Sequence, residues 1–218
     1  DITVVTPSEW LAALTKRSFA GNDVRVINNG IKLSVFRPTE SDFRKKHGIT
    51  KTDFMILCVA DNWGGKKGTD DLRQVAETLG NGFKLVAVGT GSDGLSEKIL
   101  RLPRTQSQEE LAEIYTAADL FINLTHEDTF PTVNIEALAC GTPVLTYLTG
   151  GSGEMIDSDC GSGVETGDID AFLREIKRIS AERPYTAENC VKKASAYADT
   201  EKFEEYVSLY KELVGEKR

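Results

Sequence analysis

The chain has 218 residues, 40% hydrophobic and 28% charged, with a net charge of −8 at neutral pH. That composition suits one α/β core, and the acidic balance argues against a generic nucleic-acid or anionic-membrane surface, which would be basic. No apolar run approaches the roughly 18 residues needed to cross a bilayer.

The opening residues, DITVVTPSEWLAAL, read as a strand followed by a helix, with Thr6, Pro7 and Glu9 as a capping box and proline in the first helical position. No initiator methionine or signal peptide precedes them, so a piece of a longer chain is expected. A weaker strand is expected at 24–27. Near Pro38 the stretch VRVINNGIKLSVFRP gives way to a charged segment, and the division is drawn there: 1–38, 39–198, then a C-terminal helix over 199–218.

From Phe54 onward apolar runs alternate with helical patterns, the sequence form of βαβ units. Strands are expected at 54–60, 83–88, 120–124 and 144–147, more weakly at 163–165, with a short strand ending at Leu102 and Pro103. Helical periodicity covers 70–79, 108–117, 132–140, 169–179, 187–198 and 201–214. The expected fold is α/β, a Rossmann-like doubly wound parallel sheet with helices on both faces. Phe203, Tyr206, Val207, Tyr210 and Val214 recur at helical spacing and are expected to pack into a core.

In such sheets ligands bind where strands end and helices begin, so the loops 61–68, 125–132 and 149–154 are expected to converge. Lys66 and Lys67 stand directly before Gly68 and a helix, where mobile charge and close backbone approach suit a pyrophosphate. In DTFPTVNIEALACGTPV, Pro131 and Thr132 fit a helix start and Gly141 and Pro143 its end. That start points unpaired amides at the preceding loop, favouring a bound anion. Gly89, Gly91 and Gly94 match a dinucleotide fingerprint, but LSEKILRLP is too short for the long helix it requires, and turn glycines are the reading kept. Cys58, Cys140, Cys160 and Cys190 form no CxxC pair, and with only two histidines no metal site is expected.

Asp128, seven residues and Glu136, with Phe130 after the first acid and EALACGTPV after the second, resemble the signature of glycosyltransferase family 4. Asn29, Gly30 and Ile31 resemble that family's interdomain connection, with Lys32 where Asp is usual. The resemblance implies the C-terminal half of a GT-B fold, a nucleoside-diphosphate sugar as substrate with no cofactor, and retention of anomeric configuration. It implies that the first acid contacts the donor sugar, that Glu136 binds the ribose, and that Lys67 with Gly68 binds the diphosphate. The family's first acid is commonly Glu, which leaves Asp128 or Glu127 as the sugar contact, and Pro131 replaces its usual glycine. Asp61, Asn62 and Trp63 stand where an arginine often serves as a second phosphate ligand, and Lys66 is its substitute. Leu102 and Arg104 fall near the implied base site, and Phe130, Thr132 and Val133 complete the donor set.

The expected function is donor binding within a glycosyltransferase acting on a glycan or lipid-linked acceptor, in polysaccharide or glycoconjugate synthesis. The partners implied are an N-terminal acceptor-binding domain outside this chain and no nucleic acid. The location implied is cytoplasmic, with a peripheral contact to the inner face of a membrane through that domain. This chain alone is expected to fold, bind donor nucleotide weakly and transfer no sugar. The alternatives are a GT-B nucleotide-sugar epimerase and, from the glycine fingerprint, a nicotinamide-binding oxidoreductase.

Overall fold

A computed structural model describes residues 2–18 and 21–215, so the last three residues of the expected C-terminal helix lie outside the described residues. A small leading unit contains strand β1 (Thr3–Thr6), helix α1 (Glu9–Ser18) and strand β2 (Asp23–Val26), the strands pairing in parallel from Thr3↔Asp23 to Thr6↔Val26. There follow α2 (Phe43–Lys46), β3 (Phe54–Asn62), α3 (Thr69–Thr78), β4 (Phe83–Thr90), β5 (Ile99–Leu102), α4 (Gln108–Ala117) and β6 (Leu120–Asn123). The chain continues through α5 (Thr132–Ala139), β7 (Val144–Tyr147), β8 (Gly161–Val164), α6 (Ile169–Glu182), α7 (Ala187–Ala194) and α8 (Asp199–Gly215).

Strands β3 to β8 form one parallel sheet in the order β5-β4-β3-β6-β7-β8. Counted from β3 this is the doubly wound order 3-2-1-4-5-6, and the winding reverses between β3 and β6. A crevice opens beyond the carboxyl ends of those two strands, which is where a ligand fits without displacing core.

Both faces of the sheet are covered, which explains why β3 is apolar without alternation. Phe54, Ile56 and Cys58 pack with Leu72 and Val75 of α3 and with Phe172 and Ile176 of α6. Met55 and Leu57 point the other way, toward Tyr115 of α4, Ile135 and Leu138 of α5, and Cys190 of α7. Asp119, just before β6, accepts from Arg44 at 2.9 Å, Arg183 at 2.6 Å and the Met55 amide at 2.7 Å, so one carboxylate ties four segments at the base of the sheet. Burial pushes that carboxyl up, but the bonds from Arg183, the Met55 amide and Arg44 outweigh it and hold it below the ordinary range.

Three local expectations are corrected. Helix α1 is capped by Ser8, whose hydroxyl accepts from the Leu11 amide at 3.2 Å, and not by Thr6. Thr6 donates instead to the Ser8 and Arg25 carbonyls, because it is still the last residue of β1. The helix expected over 187–198 stops at Ala194 and continues as a 3-10 turn, Ser195–Tyr197.

The third correction concerns α8, whose apolar stripe faces outward: Phe203 is 65%, Tyr210 61% and Val214 68% exposed, and Leu209 is the helix's buried residue. Periodicity identifies an apolar face but not what covers it. Here α8 lies beside β2, where Leu209 shares a groove with Val26 and Ile27 and Glu212 pairs with Arg25 at 2.9 Å.

Candidate active site

The first wall of the crevice is the loop leaving β3. It forms a 3-10 turn, Gly65–Lys67, and then passes through Gly68 with φ +70° into α3. A Cβ on Gly68 would stand 2.1 Å from the Leu124 carbonyl oxygen, so only glycine lets this turn lie against β6. The Lys66 carbonyl accepts from the His126 amide at 2.9 Å and from the Thr125 hydroxyl at 3.2 Å, which fixes the turn to the loop after β6.

That second loop carries the acids. Asp128 accepts the Phe130 amide on one oxygen at 3.1 Å and Lys67 Nζ on the other at 3.1 Å, while Glu127 pairs with Lys66 further out. The Lys66 bond, and then its charge, hold the Glu127 carboxyl below the usual range. His126 Nε2 lies 2.6 Å from Asp71 Oδ2 on α3.

The loop after β7 completes the convergence of all three segments. Thr149 donates to the His126 carbonyl at 3.0 Å, and Gly150 and Gly151 lie against the backbone of Asp128 and Thr129. Glu154, at the end of this loop, accepts from the Glu9 and Trp10 amides at 3.0 and 2.9 Å, capping α1 from across the chain.

Helix α5 begins at Thr132, with Pro131 in the N-cap position and no side-chain capping bond. Pro131 is thus one residue earlier than expected, and Thr132 does not cap because it is already helical, whereas capping needs an extended residue. Thr132 and Val133 of that first turn line the crevice, while the Asn134 amide donates to the Pro131 carbonyl at 3.0 Å. Sequence reasoning missed what braces the turn: Asn134, fully buried, accepts from Asn123 at 2.9 Å, and Asn123 accepts from the Thr125 amide at 3.1 Å. Two asparagines in the otherwise apolar runs LFIN and TVNIEALA were the available signal.

Two adjoining cavities share Val59, Ala60, Asp61, Thr132 and Val133. The first, about 360 Å³, is lined by Lys67, Asp128, Phe130 and the start of α5, together with Asn29 and Trp63. The second, about 530 Å³, is lined by Glu136, Arg104, Gln106 and Gly89. Arg104 crosses its mouth to Asp61 at 3.0 Å. Glu127, Lys66 and Gly68 lie outside both linings, and Leu102 faces a smaller groove beside α2 and α4.

Glu136 is half-buried and accepts from the Tyr115 hydroxyl at 3.1 Å. Burial pushes its carboxyl up to about 7, with the Tyr115 bond pulling the other way. Gly89 and Gly91 have positive φ and lead into a 3-10 turn, Ser92–Gly94, with no helix behind them as a dinucleotide fingerprint requires. The four cysteines are buried and free, and burial raises their thiols, which disfavours a nucleophilic thiolate. Among the described residues no acidic, histidine or cysteine cluster is placed to hold a metal, and no helix is long and apolar enough to cross a membrane.

Comparison with solved structures identifies the architecture. A sucrose-phosphate synthase from Thermosynechococcus elongatus superposes with a TM-score of 0.84 at 23% identity, covering 98% of this chain and 58% of that one. Anabaena HepE, solved with UDP and glucose, gives 0.81 at 17% identity over 96% of this chain and 63% of its own. The fold is that of the Rossmann-like C-terminal domain of GT-B glycosyltransferases. Among curated proteins, D-inositol 3-phosphate glycosyltransferase of Mycolicibacterium smegmatis is 29% identical over 177 residues, 74% of this chain. The aligned part is 41% of that relative, so the chain spans about two fifths of its length. The family model described as "Glycosyl transferases group 1" matches residues 39–197, and on that match this chain belongs to the group 1 glycosyl transferases.

Proposed function

We propose that this chain is the donor-binding part of a retaining, family 4 type glycosyltransferase that moves a sugar from a nucleoside diphosphate to a glycan or lipid-linked acceptor. The observation that carries the reading is the meeting of Lys67, Asp128 and the uncapped start of α5 in one cavity at the reversal of the sheet. Lys67 and the amides of Thr132 and Val133 neutralise the diphosphate, with Lys66 at the rim, and this stabilises the leaving group as the glycosidic bond breaks. Glu136 holds the ribose in the adjoining cavity and Arg104 borders the base.

Of the two candidate acids, Asp128 is the sugar contact, because it lines the cavity and Glu127 lies outside it, paired with Lys66. Phe130, buried beneath Asp128, keeps that loop in register. Residues 39–198 form the donor unit, and polypeptide outside this chain supplies the acceptor side. The reading is tested by calorimetric titration with UDP, GDP and ADP against wild type, Lys67→Ala and Glu136→Ala. One nucleotide is expected to bind wild type and to weaken at least tenfold in both variants, and equal binding by the variants would overturn the assignments.

A further inference from the structure

We propose that Tyr115 is the positioning residue for Glu136: its hydroxyl fixes one carboxylate oxygen and so presents the other to the ribose-side cavity. The inference rests on the reading of Glu136 given above and adds to it a residue that does not line either cavity.

Tyr115 is fully buried on the last turn of α4. Its ring stands edge-on to Phe121 at 5.5 Å and to Phe36 at 6.3 Å, and its carbonyl accepts the Thr142 hydroxyl at 2.6 Å. The ring is therefore clamped between Phe121 of the sheet and Phe36, and its backbone is tied to the turn that follows α5. A phenylalanine would fill the same space. The hydroxyl is the part that packing does not require, and a buried hydroxyl needs a partner. Among the described residues that partner is Glu136 Oε2, at 3.1 Å. With that oxygen engaged, the carboxylate is held by a rigid donor, and its second oxygen is left to accept from a ligand hydroxyl.

The bond also matters for charge. Burial favours the neutral carboxyl, and donation from Tyr115 opposes it, leaving the group near 7. The other titratable groups around it are few. Cys140 lies one turn along α5, α7 brings Cys190, whose thiol is directed to the Cys160 carbonyl, and across the cavity Arg104 and Asp61 neutralise each other. Burial is thus the larger influence on this carboxyl, and the Tyr115 bond is the one that opposes it.

The test is Tyr115→Phe in this chain, with Phe121→Leu as a control that disturbs the same packing and keeps the hydroxyl. Carbon-13 NMR titration of the Glu136 carboxyl needs no ligand. Its midpoint is expected to rise by about one unit in Tyr115→Phe, the usual worth of one bond to a charged acceptor, and to stay in place in Phe121→Leu. At pH 7 that shift reduces the ionised fraction about fivefold, so UDP affinity is expected to fall about fivefold and to recover near pH 9. Affinity for 2′,3′-dideoxyuridine diphosphate, which has no ribose hydroxyls, is expected not to change.

An unmoved carboxyl midpoint in Tyr115→Phe overturns the inference, as does a loss shared equally by both nucleotides. If Glu136→Gln leaves the preference for UDP over the dideoxy compound intact, the ribose role of Glu136 fails instead, and the NMR midpoint still decides whether Tyr115 controls the carboxyl.

Discussion

Replacing Asp128 by asparagine is expected to tighten the binding of inorganic pyrophosphate, although Asp128 is a proposed site residue. In the structure Lys67 Nζ is 3.1 Å from Asp128 Oδ2, and the side chains are 40% and 21% exposed. An arriving diphosphate has to draw Lys67 away from that partner and settle beside the carboxylate. Two unit charges about 4 Å apart attract by about 4 kcal/mol at an effective dielectric of about 20. Solvent around the two-fifths-exposed lysine and the cost of ordering both side chains reduce this to about 1 kcal/mol. Removing the competition is then worth about fivefold in affinity. Asparagine keeps an acceptor for the Phe130 amide, so the loop retains its turn. The assay is calorimetry with pyrophosphate at low and moderate salt, the gain shrinking as screening rises. Equal or weaker binding by Asp128→Asn, with Lys67→Ala still defective, would refute the competition. Unchanged binding by Lys67→Ala would refute the phosphate role of that lysine.

Three further outcomes follow from the geometry. Between the ordinary carboxyl value of 4.5 and the native value of about 7, the folded chain holds a proton on Glu136 that the unfolded chain lacks, so this group's contribution to stability falls as pH rises through that window. Glu136→Gln is expected to be about 3 kcal/mol more stable relative to wild type at pH 8 than at pH 4, read by urea titration at both values. Gly150→Ala places a Cβ 1.6 Å from the Asp128 carbonyl oxygen at φ +54°, so it is expected to lower the thermal midpoint and, measured by calorimetry, to abolish nucleotide binding. Asp119→Ala removes the carboxylate that pairs with Arg44 and Arg183 and accepts the Met55 amide, and a loss of about 2–4 kcal/mol in denaturant titration is expected at neutral pH. Because that carboxyl is held low, the wild-type advantage is lost as pH falls through its folded value.

What could be read from the amino acids depended on how local the determining physics was. Strands β3, β4, β6 and β7 were legible because burial on both faces leaves a largely apolar run, and α4 because its apolar residues recur at helical spacing. The four residues of α2 are too few to show a period. The outward stripe of α8 was misread because exposure is set by neighbours, not by the helix itself. The loops were placed at one crevice by topology, and the structure brings Lys67, Asp128, Phe130, Thr132 and Val133 to one cavity. Leu102 was placed near the base site by the family resemblance, and it lines a different groove. Tyr115 could not be distinguished from an ordinary core aromatic, since its partner lies 21 residues away on another helix.

The fit of the loop after β7 against the loop after β6 limits how this protein can be re-engineered. The carbonyl oxygens of Asp128 and Thr129 stand 1.6 and 2.4 Å from where a Cβ on Gly150 or Gly151 would be. A chimera that imports another enzyme's acid-bearing loop therefore has to import residues 149–151 with it. The two loops form a single structural cassette, and libraries that vary one while holding the other are expected to return mostly misfolded clones.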